Sequence, residues 1–420
     1  MKEAFGTPGR VELHVHLDGA IPPATLLRIA RRRSLVLPGL AGVPRTVEDI
    51  WTSLRSMHPV WHMFDLVNEI IGGEEAALSE VAEEFVRRQA ERGIGYTEVR
   101  YDPVRPSSSH IGNVSISEEA TIRAVEAGLR AGCERHGIEV HQLLCAMRGS
   151  PGAACFDLAQ LAARVRSGQM GGVVGIDLAG DEFHYNNSVG HVIACFAYAK
   201  STLLLNTTVH AGEMAGAADV RLAVAEMLAD RVGHGYSSVD DMGVVELLKA
   251  QRVPLEACPA GHHHNLAATG RYHALGLNFG LSTDDPAPYF ANVSMVDVEA
   301  LVRSQLGFTN SDLRDAHGRA FEARFAPHAS RLAALIQQRQ PGQQQPPSPP
   351  PGNTQGKESL GLAAAAGALC AGAVCVLALW RYTVHCRRLT DGRGKRHDRA
   401  SKAAAALDMG PFEKMHDEEA

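Results

Sequence analysis

Two histidines stand two residues apart in Val11-Glu-Leu-His14-Val-His16-Leu-Asp18-Gly19-Ala20. Imidazole suits zinc and other first-row metals. Strand side chains alternate between faces, so residues two apart point the same way and can grip a single ion. A hydrolytic zinc needs several protein ligands and an open position for water, whose pKa falls from 15.7 to about 7 on the metal. His210, in Val209-His-Ala-Gly-Glu213, and Asp284, in Ser282-Thr-Asp-Asp-Pro286, can complete such a set. Glu213 then remains as a general acid or base, and His234, in Val232-Gly-His-Gly235, as a second base or orienting group. Each has a structural reading on its own: Asp284-Asp285-Pro286 as a turn, and His234 between glycines as a strand cap. Their joint occurrence where strands end favours a site.

The elements that would position these residues alternate along the chain. Short apolar runs at 11–15, 95–101, 139–146, 173–177, 207–210, 231–234, 254–257 and 280–284 read as strands. Between them, 78–92, 118–135, 218–230 and 240–251 carry apolar residues at helical spacing. Strands alternating with helices imply a parallel sheet with right-handed crossovers, and eight repeats can close it. The expectation is an α/β fold of the (β/α)8 TIM-barrel type, whose active sites lie where the strands end. An open doubly wound sheet competes, but it would usually carry a Gly-rich phosphate loop after its first strand, where His14-Val-His16 stands instead.

At 420 residues and 45% hydrophobic, the chain is long enough for a barrel of about 250 residues with extensions. A net charge of -6 gives no electrostatic case for nucleic acid. The 8 cysteines form no Cys-x-x-Cys pair and no dense framework, so neither a zinc ribbon nor a disulfide-built domain is suggested, and a reducing compartment fits best. Residues 1–339 read as one catalytic domain, and 340–358 as a Pro/Gln-rich linker. Residues 360–380 carry no charge over a length close to the ~20 residues that cross a bilayer, a candidate single transmembrane helix. A basic, then acidic tail follows at 381–420, and its arginines and lysines argue for a cytoplasmic tail. The N-terminus lacks the apolar core of a signal peptide, which argues for a cytosolic catalytic domain and opposes that orientation. Two localisations are expected in turn: anchored by 360–380, or soluble and cytosolic.

The runs Val11–Ala20, Ile176-Asp-Leu-Ala-Gly-Asp-Glu182, His210–Glu213, Gly233–Gly235, Cys258-Pro259 and Ser282–Pro286 closely resemble the motif series of the adenosine deaminase family, in order, over about residues 8–338. That resemblance implies one zinc ion per subunit held by His14, His16, His210 and Asp284. It implies hydrolytic deamination of adenosine or 2′-deoxyadenosine, with attack of an activated water at C6 while Glu213 protonates N1. His234 would hold or deprotonate the water, and Asp284 would help to orient it. Asp285 would bond N7, the Gly180 backbone N–H would reach N3, His16 would line the substrate, and Asp18 would accept a hydrogen bond from the ribose. A carboxylate facing the ribose 5′ position repels a phosphate, which favours a nucleoside over a nucleotide. Residues 57–64, with Val60 and Trp61, resemble the family's apolar gate helix. The stretch Ala260-Gly-His-His-His-Asn265 departs from the family pattern after Cys258-Pro259, which touches pocket shape but loses no ligand. Two other activities compete: a deaminase of adenine or a modified adenine nucleotide, and a membrane-tethered protein that binds adenosine or a partner without turnover.

Overall fold

A computed structural model describes residues 9–57, 61–185, 190–260 and 263–326. Eight parallel strands form one sheet: β1 (Arg10–His16), β2 (Ile94–Tyr101), β3 (Glu139–Met147), β4 (Val173–Ala179), β5 (Asn206–Ala211), β6 (Arg231–His234), β7 (Leu255–Ala257) and β8 (Phe279–Leu281). Neighbours in the sheet are neighbours in sequence, as right-handed crossovers through helices demand. The last strand returns to the first through a parallel bridge between Val15 and Asp284, which closes the sheet into a barrel. All eight expected strands are present. The last is shorter than the sequence suggested, ending at Leu281 rather than Asp284, because Asp284 takes φ 65° and leaves the strand.

Helices on the outside bury an apolar face against the strands. They include α1 (Pro23–Arg32), α2 (Val47–Arg55), α3 (Trp61–Ile71), α4 (Glu75–Glu91) and α5 (Glu118–His136). After β3 come α6 (Gly152–Val165), α7 (Gly190–Ser201), α8 (Ala217–Ala225), α9 (Met242–Gln251), α10 (His263–Leu275), α11 (Met295–Leu306) and α12 (Asn310–Glu322). Local chemistry sets several starts: Thr46, Ser294 and Thr309 each head a capping box with an Asp three residues on. Of the expected gate segment, Met57 follows α2 and 61–64 lie in α3, while residues 58–60, Val60 among them, lie outside the described residues.

A smaller apolar cluster of Val11, Leu13, Tyr96, Leu143 and Val174 packs with Ala320 and Ala326. Pairing of β1 with β2 shifts between Glu12 and Val15, immediately where this cluster gives way to His14. α12 and the residues after it therefore fill one end of the barrel and leave the other to polar residues.

Cys155 in α6 and Cys195 in α7 form a disulfide, 40 residues apart in sequence. The reduced state expected for these two cysteines is thereby corrected; helix packing, not sequence spacing, brings them together. Among the described residues, no helix is long and apolar enough to cross a membrane. The candidate span at 360–380, the linker and the basic tail lie outside the described residues.

Candidate active site at the strand ends

His14 and His16 close β1, His210 lies near the end of β5, and His234 ends β6. The His14 ring lies 5.6 Å from His16, 4.5 Å from His210 and 4.4 Å from His234 between centroids. Ligand atoms of His14, His16, His210 and Asp284 all fall within 4.8 Å of one another. A second grouping, His14, His234, Cys258 and Asp284, meets the same distance limit. Its chemistry is poorer, because the Cys258 thiol donates to the Glu256 carbonyl and burial pushes its pKa well up, away from the thiolate a metal needs.

The first set fits a metal by a further test. His14 Nδ1 lies 2.8 Å from Glu256 Oε2, and His210 Nδ1 3.0 Å from Asp177 Oδ2. With those nitrogens donating to carboxylates, each Nε2 carries a lone pair, the arrangement found in metal-ligating histidines. His14 Nε2 is buried with no hydrogen bond of its own. An imidazole nitrogen so placed costs free energy unless something binds it.

Beneath the histidines lies a buried ionic network. Arg100 reaches Glu256 at 2.7 Å and Asp177 at 3.1 Å, while Arg231 reaches Glu256 and Glu98, each at 2.7 Å. Burial would raise the pKa of Glu256, yet Arg100 and Arg231 hold it well below the usual carboxylate range. Burial likewise opposes ionisation of Asp177, but His210 and Arg100 bring it down to about 2. Both carboxylates are therefore charged and orient the imidazoles. Neutralising one member would strand its partner's charge at a cost of about 3–5 kcal/mol.

Glu213 follows β5 and faces His234, whose Nε2 lies 3.5 Å from Glu213 Oε2 and 3.8 Å from Asp284 Oδ2. Burial, then the charge of Asp284, raises the Glu213 pKa to about 8, so the group carries a proton at neutral pH. Its loop is held by Glu182, whose carboxylate accepts backbone N–H bonds from Gly212 at 2.6 Å, Glu213 at 2.9 Å, Met214 at 2.7 Å and Ala215 at 3.1 Å. Four bonds to one buried anion leave that turn little freedom. Gly180, two residues before Glu182, has φ 99°, which a side chain would strain.

His234 and Asp284 themselves sit at φ 60° and 65°, uncommon for residues with a Cβ. Tyr236 lies 3.4 Å from His234 Nδ1 and is pinned in turn by the Cys258 backbone, while Tyr272 donates to the His234 carbonyl. Burial drives the His234 pKa well below its ordinary value, leaving a neutral imidazole able to accept a proton.

Asp285 is buried, and its Oδ1 has no hydrogen-bond partner. Burial, and then Asp284 beside it, raises its pKa well above normal. It approaches Gly19 so closely that a Cβ there would lie 1.7 Å from Oδ1. Asp18, next to Gly19, receives a 2.8 Å hydrogen bond from Asn68 of α3. On the same helix, Phe64 stacks on Phe290 at 4.3 Å.

Every site residue expected from the sequence thus lies at one end of the barrel. Sequence reasoning assigned no part to Glu256, Asp177, Glu182 or Asn68. Asp177 and Glu182 stood inside a motif already singled out, and Glu256 interrupts an apolar strand, which is a usable signal of a buried charge. Asn68 gave none. His262 and the His263 side chain lie outside the described residues, and His264 belongs to no metal-competent group among them.

Barrel and site together define an α/β barrel that carries a metal-competent cluster at its strand ends. The family model for adenosine deaminase matches residues 9–338. Bovine adenosine deaminase is 32% identical over 350 residues, covering 79% of this chain and 93% of the relative. Among solved structures, Arabidopsis N6-mAMP deaminase superposes with a TM-score of 0.63 at 25% identity, covering 79% of this chain and 96% of that one. An amidohydrolase from Burkhoderia ambifaria with bound Zn reaches 0.66 at 20% identity, covering 79% and 89%, a likeness of fold. This chain belongs to the adenosine deaminase family.

Proposed function

We propose that the protein is a zinc-dependent deaminase of adenosine and 2′-deoxyadenosine, releasing inosine or deoxyinosine and ammonia. The observation that carries the reading is geometric: the half-buried carboxyl of Glu213 lies 3.5 Å from His234 beside the cluster of His14, His16, His210 and Asp284. Those four residues would hold the zinc, which when bound supplies Lewis-acid activation of water at neutral pH.

The chain's own groups do the rest. Glu213 donates its proton to purine N1, which localises the ring's electrons and opens C6 to addition of water. His234, neutral and held by its tyrosines, takes up the proton of the water and returns it to the C6 amine. The C6–N bond then breaks and ammonia leaves, while Glu213 recovers a proton from the C6 hydroxyl as the carbonyl forms. Asp285, whose Oδ1 has no hydrogen-bond partner in the chain, bonds N7, and the Gly180 N–H reaches N3. His16 lines the same pocket. Asp18 accepts the 5′-hydroxyl of the ribose; a phosphate there would sit against a carboxylate, which disfavours nucleotides. A modified adenine nucleotide, the substrate class in the name of the Arabidopsis neighbour, is the second reading.

The test uses the purified full chain, an absorbance assay, and adenosine, 2′-deoxyadenosine, adenine and AMP as substrates. Adenosine and deoxyadenosine should be turned over fastest, a chelator should abolish activity, and Glu213→Gln should lower kcat by roughly 10²–10⁴-fold. Preferred turnover of AMP, or full activity in Glu213→Gln, overturns the proposal.

A further inference from the structure

The carboxylate assigned to the ribose does not stand alone. Asp18 follows β1 and sits in a short helical turn, Asp18–Ala20, where Tyr289 donates to its backbone carbonyl at 3.3 Å. Its side chain reaches across to α3, the helix that begins at Trp61 beside the pocket mouth. There Asn68, 5% exposed, spends one amide hydrogen on Asp18 Oδ2 at 2.8 Å and the other on the Phe64 carbonyl at 2.9 Å. The amide orientation follows from its partners, because both acceptors need a donor and a flipped amide would turn its oxygen toward them. No step of the proposed reaction uses Asn68.

A half-buried carboxylate on a single bond can rotate, and each orientation presents its oxygens differently. Backbone N–H groups of Asp18 and Gly19 hold it from its own turn, and the Asn68 amide supplies the side-chain hydrogen bond from the facing helix. Phe64, the residue whose carbonyl takes the second amide hydrogen, stacks on Phe290, from the same loop that carries Asp285. Asn68 therefore links the helix over the mouth, the ribose-facing carboxylate and the purine-facing loop. A side chain of equal size without a donor would leave Asp18 with its backbone bonds alone and let the carboxylate turn from the substrate hydroxyl.

We infer that Asn68 is a positioning residue for substrate choice: through its hydrogen bond to Asp18 it sets the enzyme's preference for a nucleoside bearing a free 5′-hydroxyl. This rests on the reading of Asp18 given above. Because Asn68 touches neither the purine nor the reacting atoms, its removal acts on substrate binding and leaves the chemical step alone.

Steady-state kinetics of the full chain on adenosine and on 5′-deoxyadenosine, which lacks that hydroxyl, tests the inference with Asn68→Ala and the volume-keeping Asn68→Met. The wild-type enzyme should prefer adenosine by about tenfold or more in kcat/KM, the scale of one hydrogen bond to a charged group. Both variants should lose most of that preference through a higher KM for adenosine, with 5′-deoxyadenosine turned over as by the wild type. The unchanged second substrate reports an intact fold. A variant that keeps the wild-type ratio of the two substrates overturns the role of Asn68 and leaves the deaminase reading standing. Equal loss on both substrates in both variants makes Asn68 structural only and also overturns it. If the wild type itself treats the substrates alike, the assignment of Asp18 fails, and this inference with it.

Discussion

Gly19 shows how a residue without a functional group can decide a site. Its Cα packs against Asp285, so that an added Cβ would lie 1.7 Å from Oδ1 and 2.6 Å from the carboxyl carbon. The atoms nearest that Cβ all belong to the Asp285 side chain, so an alanine at 19 displaces the carboxyl itself. Gly19→Ala should therefore lower kcat/KM by about 100-fold, the scale of a 1 Å misplacement of a reacting or contacting group. Kinetics measured beside a thermal melt checks this; a lowered Tm with kcat/KM unchanged would remove Asp285 from the substrate contacts. At the same scale, His14, His16, His210, Asp284 and Glu213 were legible as chemistry in the sequence, since ligand and acid types are scarce in otherwise apolar strands. Asn68 was not legible, because an Asn on an amphipathic helix looks the same whether it faces water or a buried carboxylate.

Single elements carry their own pH dependence. On α11, Glu299 accepts hydrogen bonds from two of the three guanidinium nitrogens of Arg10, at the start of β1, and lies 3.0 Å from the imidazole of His317 on α12. It thereby joins the first strand to the last two helices. Burial works against the charge, but the hydrogen bonds from His317 and Arg10 hold the Glu299 pKa at about 2, below its ordinary 4.5. The folded-state value is depressed, so the stabilisation is complete above pH 4.5 and is lost as the pH falls through 4.5 toward 2. Its size is at most about 3 kcal/mol at neutral pH. Denaturant melts of wild type and Glu299→Gln should show a stability gap at pH 6 that closes across that acid window; a gap independent of pH refutes the assignment. The eight strands and four of the outer helices were readable from periodicity, because eight buried runs alternate with amphipathic ones. Their boundaries at the site were not. The strand at 279–281 stops short of Asp284, whose backbone at φ 65° answers to the site and not to local propensity.

For the molecule as a whole, the Cys155–Cys195 bond ties α6 to α7, the two helices that flank β4 and the loop bearing Gly180 and Glu182. Closing a 40-residue loop restricts the unfolded chain by an amount worth about 4 kcal/mol or less. Reduction should lower the Tm by several degrees; the described thiols Cys133, Cys145 and Cys258 are buried and unbridged, so one disulfide per chain should be counted within residues 9–326. Mass analysis after alkylation with and without reductant checks it, and two alkylated thiols at 155 and 195 without reductant would refute the bond. By itself the sequence determined the barrel class, the metal-competent residues and the carboxyl at position 213 beside them. These are written in local periodicity and in residue chemistry, which need no partner to be read. Only the tertiary structure decided which carboxylates aim the imidazoles, that Glu182 holds the Glu213 loop, that Asn68 fixes Asp18, and which two cysteines meet. Each of those depends on distances between segments far apart in the chain, and such distances exist only once the barrel has closed.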